Sequence, residues 1–135
     1  MKNQNISYLL CRIAIGTSLF GHGLVRMPIL SGFSGWMAGQ FKESMLPQAI
    51  ILPFSYILPF AELIVGLLLL SGLFTKQALI AGALAMIALV FGSTTIQQWE
   101  AIPSQLIHIA FIAFLLAFLD QNTYALDKCF SISKK

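Results

Sequence analysis

Apolar residues run almost unbroken for about twenty positions at a time along this chain, the length a helix needs to cross a bilayer, and polar residues collect between the runs. Four segments qualify as spans: about Ile6 to Met27, Ile50 to Ser71, Gln77 to Ile96 and Ser104 to Leu119. The runs are continuous rather than alternating with a period of two, which excludes the strands of a membrane barrel. Breakers fall where helices must end. Met27-Pro28 closes the first span, Pro47 precedes the second, Gly72 ends it, and Pro103 stands where a first helical turn accepts proline. Thr75 is placed to cap the third span by bonding an orphan N–H. Pro59 removes an N–H donor within the second span and predicts a kink or a later start there.

The pattern predicts an all-α fold, a transmembrane four-helix bundle in a single domain covering residues 1–135. Between the first two spans, "FSGWMAGQFKESML" puts Phe33, Trp36, Met37, Phe41 and Met45 on one side of a helical wheel. Gln40, Lys42 and Ser44 take the other side. This predicts a short interfacial helix lying flat at the outer headgroup level. In the third span Ala78 with Gly82, Ala81 with Ala85, and Ala88 with Gly92 have the spacing that lets helix backbones approach closely in lipid.

Composition agrees with a lipid-embedded chain. Residues are 58% hydrophobic and only 10% charged, against about 25% charged in soluble proteins. The net charge of +3 comes from scattered residues that make no phosphate-binding stripe, so nucleic acid is excluded as a partner. The charges read instead as a topology signal. With both termini cytoplasmic, the inner side holds Lys2, Lys76, Lys128, Lys134 and Lys135, and the outer side holds Arg26 and Lys42. The first apolar run outlasts a signal-peptide core, contains Arg12 and lacks an A-x-A-like site, so it is expected to be retained as a span. Cys11 and Cys129 form no C-x-x-C pair and indicate neither a redox dithiol nor a disulfide framework.

The charges inside the spans carry the candidate chemistry. Glu62 stands within "LPFAELIVGLLLLSG". An ionised group at the bilayer centre costs about 2.5–3.5 kcal/mol by insertion scales, so it is expected to face the bundle and meet a partner. Arg12 is the comparably deep cation on the adjacent antiparallel helix, which predicts a buried Arg12–Glu62 ion pair. A second polar layer lies nearer the outer side. "GHGLVRMP" sets His22 one helical turn before Arg26, and His108 sits at similar depth in the fourth span. With Gln105, and with Trp99 and Glu100 at the mouth, these residues could converge on one outward, ligand-binding cavity. No closed set of metal ligands is visible. A quinone head needs only one or two hydrogen bonds and an apolar slot, so it suits such a cavity.

Arg12, Gly16, Phe20 and "GHGLVR", then "LPFAELIVGLLLLSGLFTK", then "NTYALDK", together resemble the DoxX-like family of small bacterial integral membrane proteins. The most specific part is the run from Glu62 to Thr75. The resemblance implies a four-helix fold in the bacterial inner membrane and a place in a quinone-linked redox system. No Gly-rich nucleotide-binding signature is present. Electrons would therefore be carried by a quinone, the candidate cofactor, or by a redox partner subunit. The alternatives are a small transporter or permease subunit, in which Glu62 would cycle between protonation states, and a non-catalytic scaffold. A homo-oligomer is compatible with all three. No catalytic residue is identifiable.

Overall fold

The computed structural model describes residues 2–132; Lys134 and Lys135, which enter the charge bias, lie outside them. The described chain is helical, with six α-helices: α1 Lys2–Arg26, α2 Leu30–Gln40, α3 Gln48–Ser71, α4 Thr75–Thr95, α5 Ile102–Ala117 and α6 Leu126–Ile132. The stretch Lys2–Gln40 and helices α3 and α4 are each long and apolar enough to cross a membrane, and α5 is a shorter apolar helix. At about 1.5 Å per residue, the 16 residues of α5 reach about 24 Å, short of a core roughly 30 Å thick. α1 packs on α3, α3 on α4, α4 on α5, and α5 back on α1, closing a ring of four helices.

The first expected boundary is displaced. Met27-Pro28 interrupts the α-helix for a single 3-10 turn, Met27–Ile29, and the helix resumes at Leu30. Proline is tolerated at the start of a turn because the N–H it lacks is not needed there. The resumed helix keeps its contact with α3. Phe20 lies against Gly66, Gly23 against Leu63, Arg26 against Glu62, Ser34 against Ser55, and Ala38 against Gln48. Each step forward along α1 and α2 is thus matched by a step back along α3. In place of the expected separate interfacial helix, α2 lies alongside the first half of α3. It buries Phe33, Ser34 and Met37 there, while Trp36 and Met45, expected on the apolar face, are exposed.

The closest helix approach is also not where the small-residue spacing of α4 placed it. A Cβ added at Gly66 would stand 2.2 Å from the Phe20 backbone nitrogen, and one at Gly23 would stand 2.5 Å from that of Leu63. At Gly82 the nearest atoms are side chains at 3.4 Å, while Ala81 and Ala88 are exposed. Two glycines facing opposite helices therefore seal α1 to α3. In lipid this matters because helices associate through packing rather than through release of water.

α3 runs unbroken through both Pro53 and Pro59. It ends as expected at Gly72, whose φ of 68° lies in the left-handed region, where glycine carries no Cβ penalty. The cap of α4 differs from expectation. Thr75 does not cap it; both oxygens of Asp127 accept the Phe74 and Thr75 N–H groups, at 2.7 and 2.9 Å. Thr75 instead accepts a hydrogen bond from Asn122.

Gly66→Ala is expected to force α1 and α3 apart. It should cost about 1–3 kcal/mol, the usual range for overpacking, and lower the melting temperature in detergent. Gly21→Ala, whose added Cβ meets nothing within 4 Å, should leave melting unchanged or slightly raised; equal loss in both variants would contradict this packing.

Candidate functional site

Two polar layers lie inside the helices, separated by an apolar one. Arg12 occupies the layer nearer the end where α1 begins and α6 lies. It is 2% exposed, and its Nη1 donates to Asn122 Oδ1 at 2.7 Å while Nη2 donates to the Tyr124 carbonyl at 2.8 Å. Asn122 passes the connection on by donating from Nδ2 to Thr75 Oγ1 at 3.0 Å. Asp127, besides capping α4, donates its own N–H to the Gly72 carbonyl. Arg12 thereby clasps the segment after α5 to the α3–α4 turn. Above this clasp Ile15, Leu19, Val65, Leu69, Leu79 and Ile112 form a dry core.

The expected Arg12–Glu62 pair is not formed. Glu62 pairs with Arg26. The reason is the displaced end of the first helix: with α1–α2 lying along the whole of α3, Arg26 is no longer at a membrane mouth but beside the middle of α3. Ten residues separate Glu62 from Gly72, where Arg12 lies, or about 15 Å of helical rise. Arg12 could not span that and keep its other partners. Arg12 and Glu62 are both buried, at 2% and 4% exposure, while Arg26 is partly exposed.

Beyond the dry core opens a cavity of about 540 Å³, within the roughly 300–1,000 Å³ typical of small-molecule sites. His22, Arg26, Gln105 and His108 all line it. Trp99 and Glu100 do not; both are exposed, because Gln97 takes a left-handed φ of 56° and turns the chain outward after α4. Gln98 and Ala101 stand in the wall instead. The sides are aromatic and aliphatic, with Phe33, Phe41, Phe54, Leu58 and Phe91.

The polar groups are held by specific contacts. The Arg26 side chain is 23% exposed and that of Glu62 only 3%. Arg26 therefore faces the cavity while the carboxylate that neutralises it stands behind. The Arg26 guanidinium also lies 4.6 Å from the centre of the Phe33 ring, within cation–π range. His108 Nδ1 is 2.7 Å from the Ser104 carbonyl. A carbonyl can only accept, so Nδ1 carries the proton. In the neutral ring Nε2 then accepts from the Ser18 hydroxyl at 2.8 Å. His22 lies with its ring centre 6.3 Å from that of His108. Gln105 Nε2 donates to Ser93 at 2.9 Å, and its Oε1 is buried with no partner among the described residues. The cavity thus offers N–H donors beside aromatic walls and carries no net charge from its ion pair.

Sequence reasoning missed Ser18 and the aromatic wall of α2. Ser18 sits one turn before His22, and Phe33 two turns after Arg26. Both share the helical face of the residues that were found, but only if the helix continues past Pro28.

A family model described as "Methylamine utilisation protein MauE" matches residues 4–103. The match takes in His22, Arg26 and Glu62; Gln105 and His108 lie beyond it. No curated protein and no solved structure matches the chain. The match covers well over half of the sequence, so the protein belongs to the MauE family, rather than being identified as DoxX-like, and it is a multi-pass membrane protein.

Arg26→Met is expected to strand the Glu62 carboxylate and to cost about 3–5 kcal/mol, as breaking a buried ion pair does. The Arg26→Met/Glu62→Leu double variant should regain most of that in detergent melting. A double variant no more stable than the single would show that the two side chains do not depend on each other.

Proposed function

We propose that this MauE-family protein is a bacterial inner-membrane subunit of a redox system serving methylamine utilisation, and that its cavity takes the head of a lipid-soluble quinone. The family's name supplies the process. The quinone is drawn from the chemistry of the cavity, which pairs hydrogen-bond donors with an apolar slot. The observation that carries the reading is the cavity itself: donors on Arg26 and His22 in its wall, phenyl rings beside them, and a volume suited to one ring system.

The residues fit a quinone. Its carbonyl oxygens accept hydrogen bonds, and Arg26 and His22 provide them. Its ring is flat and apolar, and Phe33 and Phe54 flank such a shape. When bound, a quinone supplies two-electron redox chemistry. Arg26, fixed by Glu62 and Phe33, orients the head. His108, held in one tautomer by Ser104, keeps Nε2 as an acceptor for the Ser18 proton. The partner that exchanges electrons with the head is a separate redox subunit.

A small transporter for amine cations is less well supported. A cation would need a free carboxylate in the cavity, and Glu62 is already paired and screened by Arg26. The proposed topology is a four-helix transmembrane bundle with both termini cytoplasmic. Lys2, Lys76 and Lys128 gather at the terminal end, and with Arg26 withdrawn into the bundle Lys42 alone opposes them among the described basic residues.

Protein purified from native membranes in mild detergent should carry quinone, detected by solvent extraction and ultraviolet absorbance. His22→Ala and His22→Ala/Arg26→Gln should lose it in steps of about five- to tenfold, the worth of one hydrogen bond each. Quinone retained undiminished by the double variant would rule out this site.

A further inference from the structure

Some residues in the wall of the large cavity also face outward. Ile50 and Phe54 of α3 and Ala88 and Phe91 of α4 all line it, yet Ile50 and Phe91 are each 58% exposed, and Ala88 is exposed as well. Phe54 lies about three turns before Val65 on one face of α3. Val65 in turn reaches Gly82 of α4, where an added Cβ would meet it at 3.4 Å. That edge of α3 therefore faces α4. On α4, Ala85 packs against the cluster of Ile51 and Leu58, and Ala88 and Phe91 follow it at one-turn steps. The four side chains thus frame a gap in the seam between α3 and α4. Both helices are long and apolar enough to cross a membrane, so this gap opens sideways, toward acyl chains.

The chemistry of the cavity is divided by direction. None of the four framing side chains carries a polar atom. The polar groups stand on the other helices, His22 and Arg26 on α1 and Gln105 and His108 on α5, where Ser18 and His108 join the two by a hydrogen bond. In the closed ring of helices, the α1–α5 seam lies opposite the α3–α4 seam. The rim formed by the end of α2 and the start of α5 differs again, with Gln40 and Ser104 both polar and exposed. A solute arriving from water needs only that polar rim. An apolar lateral gap serves a molecule already dissolved in the bilayer, whose chain meets the same kind of surface in the seam as in lipid.

We infer that the α3–α4 seam is the entry to the cavity from the bilayer and the seat of its ligand's tail. A single-tailed amphiphile passes between Ile50 and Phe54 on one side and Ala88 and Phe91 on the other. Its head goes to the α1–α5 seam, and its chain stays in the gap. Ala88 sets the width, because its methyl group is the smallest of the four side chains. The inference takes the identity of the head from the quinone reading above and adds to it a required apolar tail.

The test uses the full chain in phospholipid nanodiscs and two quinones, one without a tail and one with the same ring and a decyl chain. Ala88→Trp, at an exposed position, should weaken binding of the decyl quinone about tenfold, the scale of overpacking a filled space. It should leave the tailless quinone unchanged. Leu84→Trp, on the same helix, exposed and outside the cavity wall, should alter neither. If Ala88→Trp weakens both quinones alike, or neither, the tail entry is overturned while the quinone reading stands. If neither quinone binds the parent protein, the quinone reading falls, and the seam is judged by a readout that needs no quinone and no variant. Decanol with a diazirine on its chain, photolysed in the same nanodiscs, should label the buried wall residues Leu58 and Met86 of the parent. Labelling confined to the exposed Ile57 and Leu84 would overturn the inference.

Discussion

A carboxylate set in the middle of an apolar helix must be neutralised from within the protein, and Arg26 does this for Glu62. Most other features of the larger cavity depend on that contact. To bring Arg26 beside Glu62, the first helix has to lie along α3 in one register, and Gly23 and Gly66 allow the backbones to come close enough. To keep the register beyond Arg26, the chain must continue past Pro28 as α2, which carries Phe33 to the guanidinium face. The wall of the cavity is thus a by-product of neutralising one buried charge.

The two ends of the bundle use polar groups differently. At the terminal end they are spent on structure. Arg12, Asn122, Thr75 and Asp127 bind one another and the backbone of the α3–α4 turn, so a buried cation is matched by neutral and backbone acceptors, with no ion pair to it among the described residues. At the other end the polar groups are held in place yet presented to a space. Arg26 has a partner behind it and an open side in front, and His108 is fixed by Ser104 and Ser18. A dry core of Ile15, Leu19, Leu69, Leu79 and Ile112 separates the two, which lets the clasp hold the helices without touching the cavity chemistry.

This division bears on function. A site whose one strong cation is already neutralised favours neutral ligands with oxygen acceptors over free ions. That preference weighs against an ion carrier.

The existence and approximate limits of α3, α4 and α5 were legible in the sequence, because the cost of placing each residue in lipid is local and sums along a span. The turn at Gly72 was legible for the same kind of reason, since its left-handed φ is a property of one residue. His22, Arg26, Gln105 and His108 could be grouped from helical rise alone. The partners of the charges could not. Whether Arg12 or Arg26 meets Glu62 depends on whether the helix stops at Pro28 or resumes beyond it, and a proline at the start of a turn permits both. Only the packing of α2 on α3 settles that choice, through Phe33, Ser34 and Met37. Asp127 reaches the head of α4 from 52 residues away for a similar reason: it is the clasp on Arg12 that brings that segment within reach. Sequence therefore determined which parts of this protein enter lipid, and tertiary contact decided which buried groups answer one another there.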